Sequence, residues 1–145
     1  MRDLSQMIKT ELTNSVEETF ELGKEFGKKL KGGEVIEFVG DLGAGKTSFM
    51  RGVAQGVGSG DSVSSPTFTL SNIYTGKNGI TIQHFDFYRL SEPGLVEEQL
   101  KEAIGDPSAI VCVEWAESVR GVLPKDKITI HITPIDEDTR EFKFS

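Results

Sequence analysis

The segment with the clearest chemical potential is Gly40–Thr47, which reads Gly-Asp-Leu-Gly-Ala-Gly-Lys-Thr. It matches the pattern GxxxxGKT, in which glycines allow backbone N–H groups to turn towards phosphate oxygens. The positive end of a following helix adds to the attraction for an anion. In this chemistry Lys46 would reach the terminal phosphates of a nucleotide, and the Thr47 hydroxyl would ligate Mg²⁺. The pattern therefore predicts a phosphate-binding loop.

P-loop enzymes also need an acidic residue at the end of a neighbouring strand to help bind Mg²⁺, and the sequence offers two candidates. Glu114 follows the apolar run Ala109–Val113, and Asp86 ends another strand-like run in which it shares a face with His84. Either acid could hold the metal ion or order a water. The alternatives are an ordinary exposed carboxylate for Glu114 and a turn carboxylate for Asp86.

A phosphate-binding loop needs a buried strand before it and a helix after it, and the sequence supplies both. Val35–Val39 is mostly apolar and β-branched, as in a strand covered on both faces. Residues 47–55 carry apolar side chains at helical spacing. An earlier helix is predicted over residues 14–31, because Ser15 and Glu18 form a capping box.

The rest of the chain reads mainly as strands. Further strands are predicted at residues 68–74, 80–87, 109–113, 127–133 and 140–144, with a short helix at residues 96–103. Gly76–Gly79 would join the first two of these strands as a hairpin. We expect residues 1–145 to form a single P-loop domain of the α/β class, a three-layer P-loop NTPase-like fold with a central mixed β-sheet flanked by helices.

Composition and charge limit the class of protein. At 145 residues, with 37% hydrophobic and 27% charged residues, the chain has an ordinary globular composition. No apolar run approaches the ~20 residues of a membrane helix, and Met1–Gln6 lacks the apolar stretch of a signal peptide. The single Cys112 excludes an internal disulfide. We therefore expect a cytoplasmic protein without a membrane partner. The net charge of -7 argues against binding of nucleic acid through the overall field of the protein, so any such role would be indirect or local.

Several functions share a phosphate-binding loop. The chain lacks the Asn-Lys-x-Asp motif that reads guanine in GTPases, which favours adenine. One alternative to an ATPase is a small-molecule kinase, although Arg89 and Arg120 are too isolated to resemble a kinase lid. Another is a non-catalytic nucleotide-binding module. With only His84, His131 and Cys112 as soft ligands, a zinc site is not expected, and His84 is interpreted as a packed, hydrogen-bonded strand residue.

Four segments together resemble the TsaE family, formerly called YjeE. They are Gly40–Thr47, Ser65-Pro66-Thr67-Phe68, His84-Phe85-Asp86-Phe87-Tyr88-Arg89-Leu90 and Val113-Glu114-Trp115, which follow the order of the family across nearly the whole chain. The resemblance implies a Mg²⁺-dependent ATPase required for the threonylcarbamoyladenosine (t6A) modification of tRNA. It also implies that the protein acts on a TsaB–TsaD complex and meets tRNA only indirectly.

The resemblance further implies roles for individual residues. Thr47 and Glu114 would ligate Mg²⁺, Thr67 would sense the γ-phosphate, and Asp86 would be the second functional acid. The phosphates would be held by Lys46 and the loop residues Asp41, Leu42, Gly43, Ala44 and Gly45. The remaining residues near the nucleotide would be Thr13, Trp115, Glu117 and Arg140.

Other interpretations of these residues remain open at the level of sequence. Thr67 could form a turn, Thr13 could cap a helix, and Trp115 could fill the core. Arg89 could act as an arginine finger or form a salt bridge. Because no arginine finger or complete base system is obvious in the chain, we expect ATP hydrolysis to be weak alone and stimulated by a partner.

Overall fold

A mixed β-sheet forms the centre of the protein. In this computed structural model, which describes residues 9–40, 44–60, 71–87 and 94–145, the strands are β1 (Lys9–Thr13), β2 (Val35–Gly40), β3 (Ser71–Thr75), β4 (Thr81–Asp86), β5 (Ala109–Glu114), β6 (Ile128–Pro134) and β7 (Arg140–Phe144). Their order across the sheet is β1-β7-β6-β2-β5-β4-β3. The central strands β6, β2, β5 and β4 are parallel, whereas β3 and β7 run antiparallel to their neighbours.

Helical segments cover both faces of this sheet. The helices are α1 (Val16–Lys28), α2 (Ala44–Val57) and α3 (Gly94–Ile104). On one face, α1 and α2 pack on the sheet, and the rings of Phe49 and Phe142 stack with centroids 5.1 Å apart. On the other face, α3 packs on the sheet together with Ala116, Val119 and Leu123, which lie in or beside the 3₁₀ turns at residues 116–118 and 120–122. The expected three-layer α/β architecture is confirmed.

The local sequence explains where α1 begins. The Glu18 backbone N–H donates to Ser15 Oγ at 3.0 Å, and the Asn14 N–H donates to Glu18 Oε1 at 2.8 Å. Side chains of this kind satisfy helical N–H groups that have no partner within the helix. The helix falls inside the predicted range of 14–31, and its N-cap is Ser15. The alternative interpretation of Thr13 as the helix cap is therefore wrong, because Thr13 ends β1.

Glycines bring α1 and α2 into close contact. Gly23 and Gly27 of α1 face the main chain of α2, and Gly52 and Gly56 of α2 face the main chain of α1. A Cβ atom at any of these four positions would collide with backbone atoms of the other helix. Close packing of the two helices therefore depends on the absence of side chains along this contact.

The helical elements that follow β2 and β5 in the sequence pack on opposite faces of the sheet, which defines a crevice at its carboxyl end. Strand β2 leads into α2 on one face, whereas its parallel neighbour β5 leads into 3₁₀ turns packed on the other face. Such a divergence is the usual position of a ligand site in an open α/β sheet. At the end of β2, Gly40 has a φ of 101° and approaches the main chain of Ile132, where a Cβ would collide.

Both antiparallel pairs that were predicted are present. Strands β3 and β4 are joined through a short 3₁₀ turn at residues 77–79, and β6 pairs with β7. The strand predicted at residues 68–74 corresponds to β3, and its residues 68–70 lie outside the described residues. Strand β1 was not predicted, and it pairs antiparallel with β7 at one edge of the sheet. Among the described residues, none of the helices has the length and apolar composition required to span a bilayer.

Candidate active site

Lys46 and Glu114 form a buried ion pair at the crevice. Lys46 lies in the first turn of α2, and Glu114 is the last residue of β5. Lys46 Nζ and Glu114 Oε2 are 2.6 Å apart, and the two side chains are only 2% and 5% exposed. Close geometry of this kind is what offsets the cost of removing two charges from water. The fold thus brings together the lysine of the loop motif and one of the two acids selected from the sequence.

His84 joins this pair from the neighbouring strand β4. Its Nε2 atom is hydrogen-bonded to Glu114 Oε2, the same oxygen that contacts Lys46. The ring is fully buried, and its Nδ1 atom has no partner within the part of the chain that the structure describes. The interpretation of His84 as a packed, hydrogen-bonded strand residue is confirmed, and its partner is now identified.

The neighbours of Glu114 and His84 shift the pKa values of these two groups. Burial alone would raise the pKa of Glu114, but the hydrogen bond from His84 and the positive charge of Lys46 outweigh it and hold this pKa below its ordinary value. Burial lowers the pKa of His84, and the charge of Lys46 lowers it further, against the opposing effect of Glu114. At neutral pH the site therefore holds a charged carboxylate bonded to a neutral imidazole.

Oxygen groups suited to Mg²⁺ lie beside the pair. Asp86 is directly opposite Glu114 in the parallel register of β4 and β5, and half-buried Thr47 follows Lys46 in α2. Across the described residues, His, Cys, Asp and Glu side chains form no cluster of three that could hold a metal ion unaided. This set fits Mg²⁺, which proteins usually bind through one or two carboxylates while phosphates and water complete the shell. The N-terminus of α2, which begins at Ala44, fits a phosphate.

Arg140 lies beside the start of α2, and Thr13 lies beside Arg140. A Cβ on Gly45 would be 3.5 Å from Arg140 Cδ, so the arginine side chain runs beside the first turn of the helix. Its Nη1 donates to the Asp136 carbonyl at 3.0 Å. Thr13 is opposite Arg140 in the register of β1 and β7, and its buried hydroxyl is 2.6 Å from Thr19 Oγ1. Arg140 thus adjoins α2, and Thr13 adjoins Arg140.

Trp115 follows Glu114 in a left-handed backbone conformation, with φ 56° and ψ 54°. Positive φ is uncommon for a bulky residue and costs energy, and strained positions of this kind are frequent at functional sites. The side chain is 41% exposed, so the alternative that Trp115 fills the core is wrong. Trp115 and the exposed Glu117 line a pocket together with Gly40.

Asp41, Leu42, Gly43, Thr67 and Arg89 lie outside the described residues.

Glu37 is a second buried carboxylate, and the sequence interpretation passed over it. It lies in β2 on the face opposite the Lys46–Glu114 pair. Arg120 Nη2 is 2.6 Å from its Oε2, and Lys127 Nζ is 3.7 Å from its Oε1. The sequence does carry a signal for it, since Glu37 is the single charged residue within the apolar run of β2. A carboxylate buried in such a run generally needs a charged partner.

Comparisons with known proteins agree on one family. The family model described as "Threonylcarbamoyl adenosine biosynthesis protein TsaE" matches residues 13–142. The tRNA threonylcarbamoyladenosine biosynthesis protein TsaE of Treponema pallidum is 34% identical over 131 residues, covering 90% of this chain and 95% of that protein. The protein of the same name from Nostoc is 37% identical over 141 residues, covering 95% of this chain and 85% of its own.

A solved structure resembles the whole fold. The crystal structure of Bacillus subtilis YdiB aligns with a TM-score of 0.70 and 33% sequence identity, covering 96% of this chain and 86% of that one.

Proposed function

The chain belongs to the TsaE family, whose members are named for t6A biosynthesis, and we propose that it is a Mg²⁺-dependent ATPase serving that tRNA modification. It converts ATP and water to ADP and phosphate, acts on a TsaB–TsaD complex, and meets tRNA only indirectly. The observation that carries this proposal is the buried Lys46–Glu114 pair at the end of β5. A cation suited to phosphate and an acid suited to a metal ion meet there, where open α/β sheets bind ligands.

The proposed reaction uses side chains on both sides of the crevice. Lys46 leaves Glu114 for the β- and γ-phosphates, where its charge stabilises the transition state. The phosphates would be bound by the amides of residues 41–45 and by the start of α2. Glu114 and Thr47 would hold Mg²⁺, which would neutralise phosphate charge when bound. Thr67 and Asp86 orient the γ-phosphate and the attacking water.

We assign the remaining predicted residues to the nucleotide as a whole. Thr13 lies on the side of the base, and Arg140, Trp115 and Glu117 flank the bound nucleotide. The isolated chain should hydrolyse ATP slowly, because the sequence offers no obvious arginine finger. Among the described residues, Arg120 pairs with Glu37, and Arg140 donates to a main-chain carbonyl. A partner that completes the site would then raise the rate.

Two wider features belong to the same proposal. We propose that residues 1–145 form one ATPase domain, since the described elements share a single sheet with an apolar cluster on each face. A cytoplasmic location follows from the proposed role in tRNA modification.

Phosphate release separates this proposal from its two alternatives. We expect weak release by the chain alone and faster release when purified TsaB–TsaD is added. A small-molecule kinase would instead transfer phosphate to an added metabolite, and a nucleotide-binding module would bind ATP without releasing phosphate.

Variants at the ion pair provide the controls for this assay. Lys46→Ala and Glu114→Ala should each abolish the stimulated release, whereas Lys127→Ala, which alters a cation on the opposite face of the sheet, should not. Unchanged activity in both site variants, or no response to TsaB–TsaD, would refute the proposed mechanism.

A further inference from the structure

Two donors converge on one oxygen of the Glu114 carboxylate. Lys46 Nζ and His84 Nε2 both contact Oε2. Neither of the hydrogen bonds found for this carboxylate within the described residues involves Oε1. The second oxygen is therefore the one available to a further ligand.

The hydrogen-bond partners identify the proton on His84. Nε2 faces a carboxylate, which only accepts, so Nε2 must carry the hydrogen. Nδ1 is buried without a partner in the described part of the chain, and a hydrogen there would be an unsatisfied buried donor. The ring is therefore the neutral tautomer with Nε2–H, and it acts as a fixed donor to Glu114.

The sheet holds this donor rigidly. His84 lies between two hydrogen-bonded strands, opposite Asn72 of β3 on one side and Cys112 of β5 on the other. Its ring is fully buried on a short side chain, whereas the four-carbon stem of a lysine has several rotatable bonds through which the ammonium group can reach a new partner. When Lys46 moves to phosphate, His84 is the donor that remains on Oε2.

We propose that His84 is a positioning residue: it holds Glu114 Oε2 in place while Lys46 transfers to the nucleotide, and so keeps the carboxylate in the orientation that leaves Oε1 available to a metal ion. This inference rests on the proposed function, in which Glu114 is a Mg²⁺ ligand. A merely structural histidine would fill the same space without affecting the metal dependence of nucleotide binding. Hydrogen bonds to a ligating carboxylate, in contrast, contribute to metal affinity.

The first test observes the hydrogen bond in the nucleotide-free protein. The chain has two histidines, so a His131→Gln variant leaves His84 as the source of every imidazole signal. Nitrogen-15 NMR should show a neutral ring protonated at Nε2, and a Glu114→Gln substitution should shift that signal. A ring protonated at Nδ1, or a signal indifferent to Glu114→Gln, would overturn the proposal.

The second test measures the Mg²⁺ dependence of ATP binding by calorimetry. His84→Leu removes the donor at similar volume, whereas His84→Gln retains an N–H group near the position of Nε2. The Mg²⁺ concentration that gives half of the maximal increase in ATP affinity should be roughly tenfold or more higher in His84→Leu than in wild type. In His84→Gln it should lie within about threefold of the wild-type concentration. Equal midpoints in wild type and His84→Leu, or identical behaviour of the two variants, would contradict the proposal.

The two tests also separate this inference from the proposed function. If the wild-type protein bound no ATP, the ATPase proposal would fail, while the NMR result would still decide whether His84 donates to Glu114. Thermal unfolding of each variant shows whether it is folded under the conditions of the calorimetry.

Discussion

The thiol of Cys112 lies in the most protected part of the sheet. It is fully buried in β5, between Ile36 of β2 and His84 of β4. Burial raises its pKa to about 12, although the nearby charge of Lys46 acts in the opposite direction. We expect no reaction with Ellman's reagent in the native state and one thiol per chain in guanidinium, because only an exposed thiolate reacts. Rapid labelling of the native protein would show that β5 opens readily.

The Lys46–Glu114 pair makes a prediction about stability that does not depend on catalysis. Lys46→Met leaves a buried carboxylate without its cation and should lower the free energy of unfolding by about 3 kcal/mol. Adding Glu114→Gln should recover part of this loss, because no unpaired carboxylate then remains buried. Urea unfolding of the single and double variants measures the coupling. Additive losses would indicate that the two groups do not interact.

Individual site residues could be predicted where a short local sequence pattern identifies them. Lys46 follows from the loop motif, and Glu114 follows from its place after an apolar run. The contact of His84 with Glu114 depends on how β4 and β5 align, and this register places Asp86 opposite Glu114. Two residues 30 positions apart carry no local sign of that alignment.

At the level of elements, the close contact of α1 and α2 can be tested at Gly52. Alanine would gain about 1 kcal/mol of helix propensity, but its Cβ would collide with the main chain at Phe20 and Lys24. Overpacking of this kind typically costs about 1–3 kcal/mol, so we expect Gly52→Ala to be destabilising. Gly121→Ala is the control, since a Cβ there meets nothing within 4 Å. A Gly52→Ala variant more stable than wild type in urea would contradict the packing.

The turn between β6 and β7 should depend on the charge of Asp136. Its Oδ1 accepts from the N–H groups of Thr139 at 2.8 Å and Asp138 at 3.0 Å, and these bonds lower its pKa from 3.8. Because the pKa is lower in the folded protein, the charged carboxylate contributes its full stabilisation at pH values above the ordinary pKa. This contribution is lost as the pH falls through the pKa of the folded state. Asp136→Asn keeps an acceptor but not the charge. In urea unfolding, the difference in free energy of unfolding between wild type and this variant should become smaller as the pH is lowered from about 7 to about 2.5. A difference that stays constant over this range would argue against a role for the charge of Asp136.

The elements themselves were predictable where burial or capping is strong. The apolar runs of β2 and β5 and the capping box of α1 are local signals. Strand β1 is different, because Lys9–Thr13 has one strongly apolar residue, Leu12, and it is 58% exposed. This strand depends on pairing with β7 at the other end of the chain. The glycines between α1 and α2 likewise acquire meaning only once the two helices are adjacent.

At the scale of the whole molecule, the charge of the chain constrains how it meets RNA. The net charge is -7, and the described lysines often have acids as neighbours. Lys28 pairs with Glu25 at 3.1 Å, and Lys101 lies within 3.5 Å of both Glu97 and Glu98. Affinity for a phosphate backbone requires clustered cations that displace its counterions. These paired lysines do not form such a surface.

We therefore expect the isolated protein to bind tRNA weakly, with a Kd no tighter than about 1 µM at physiological salt. Fluorescence anisotropy with labelled tRNA measures it, and Lys28→Gln should leave the affinity unchanged because that lysine is already paired. Adding TsaB–TsaD should bring the protein to tRNA only as part of the assembly. Sub-micromolar binding by the chain alone would contradict an indirect role, and a loss of that binding in Lys28→Gln would identify α1 as the RNA surface.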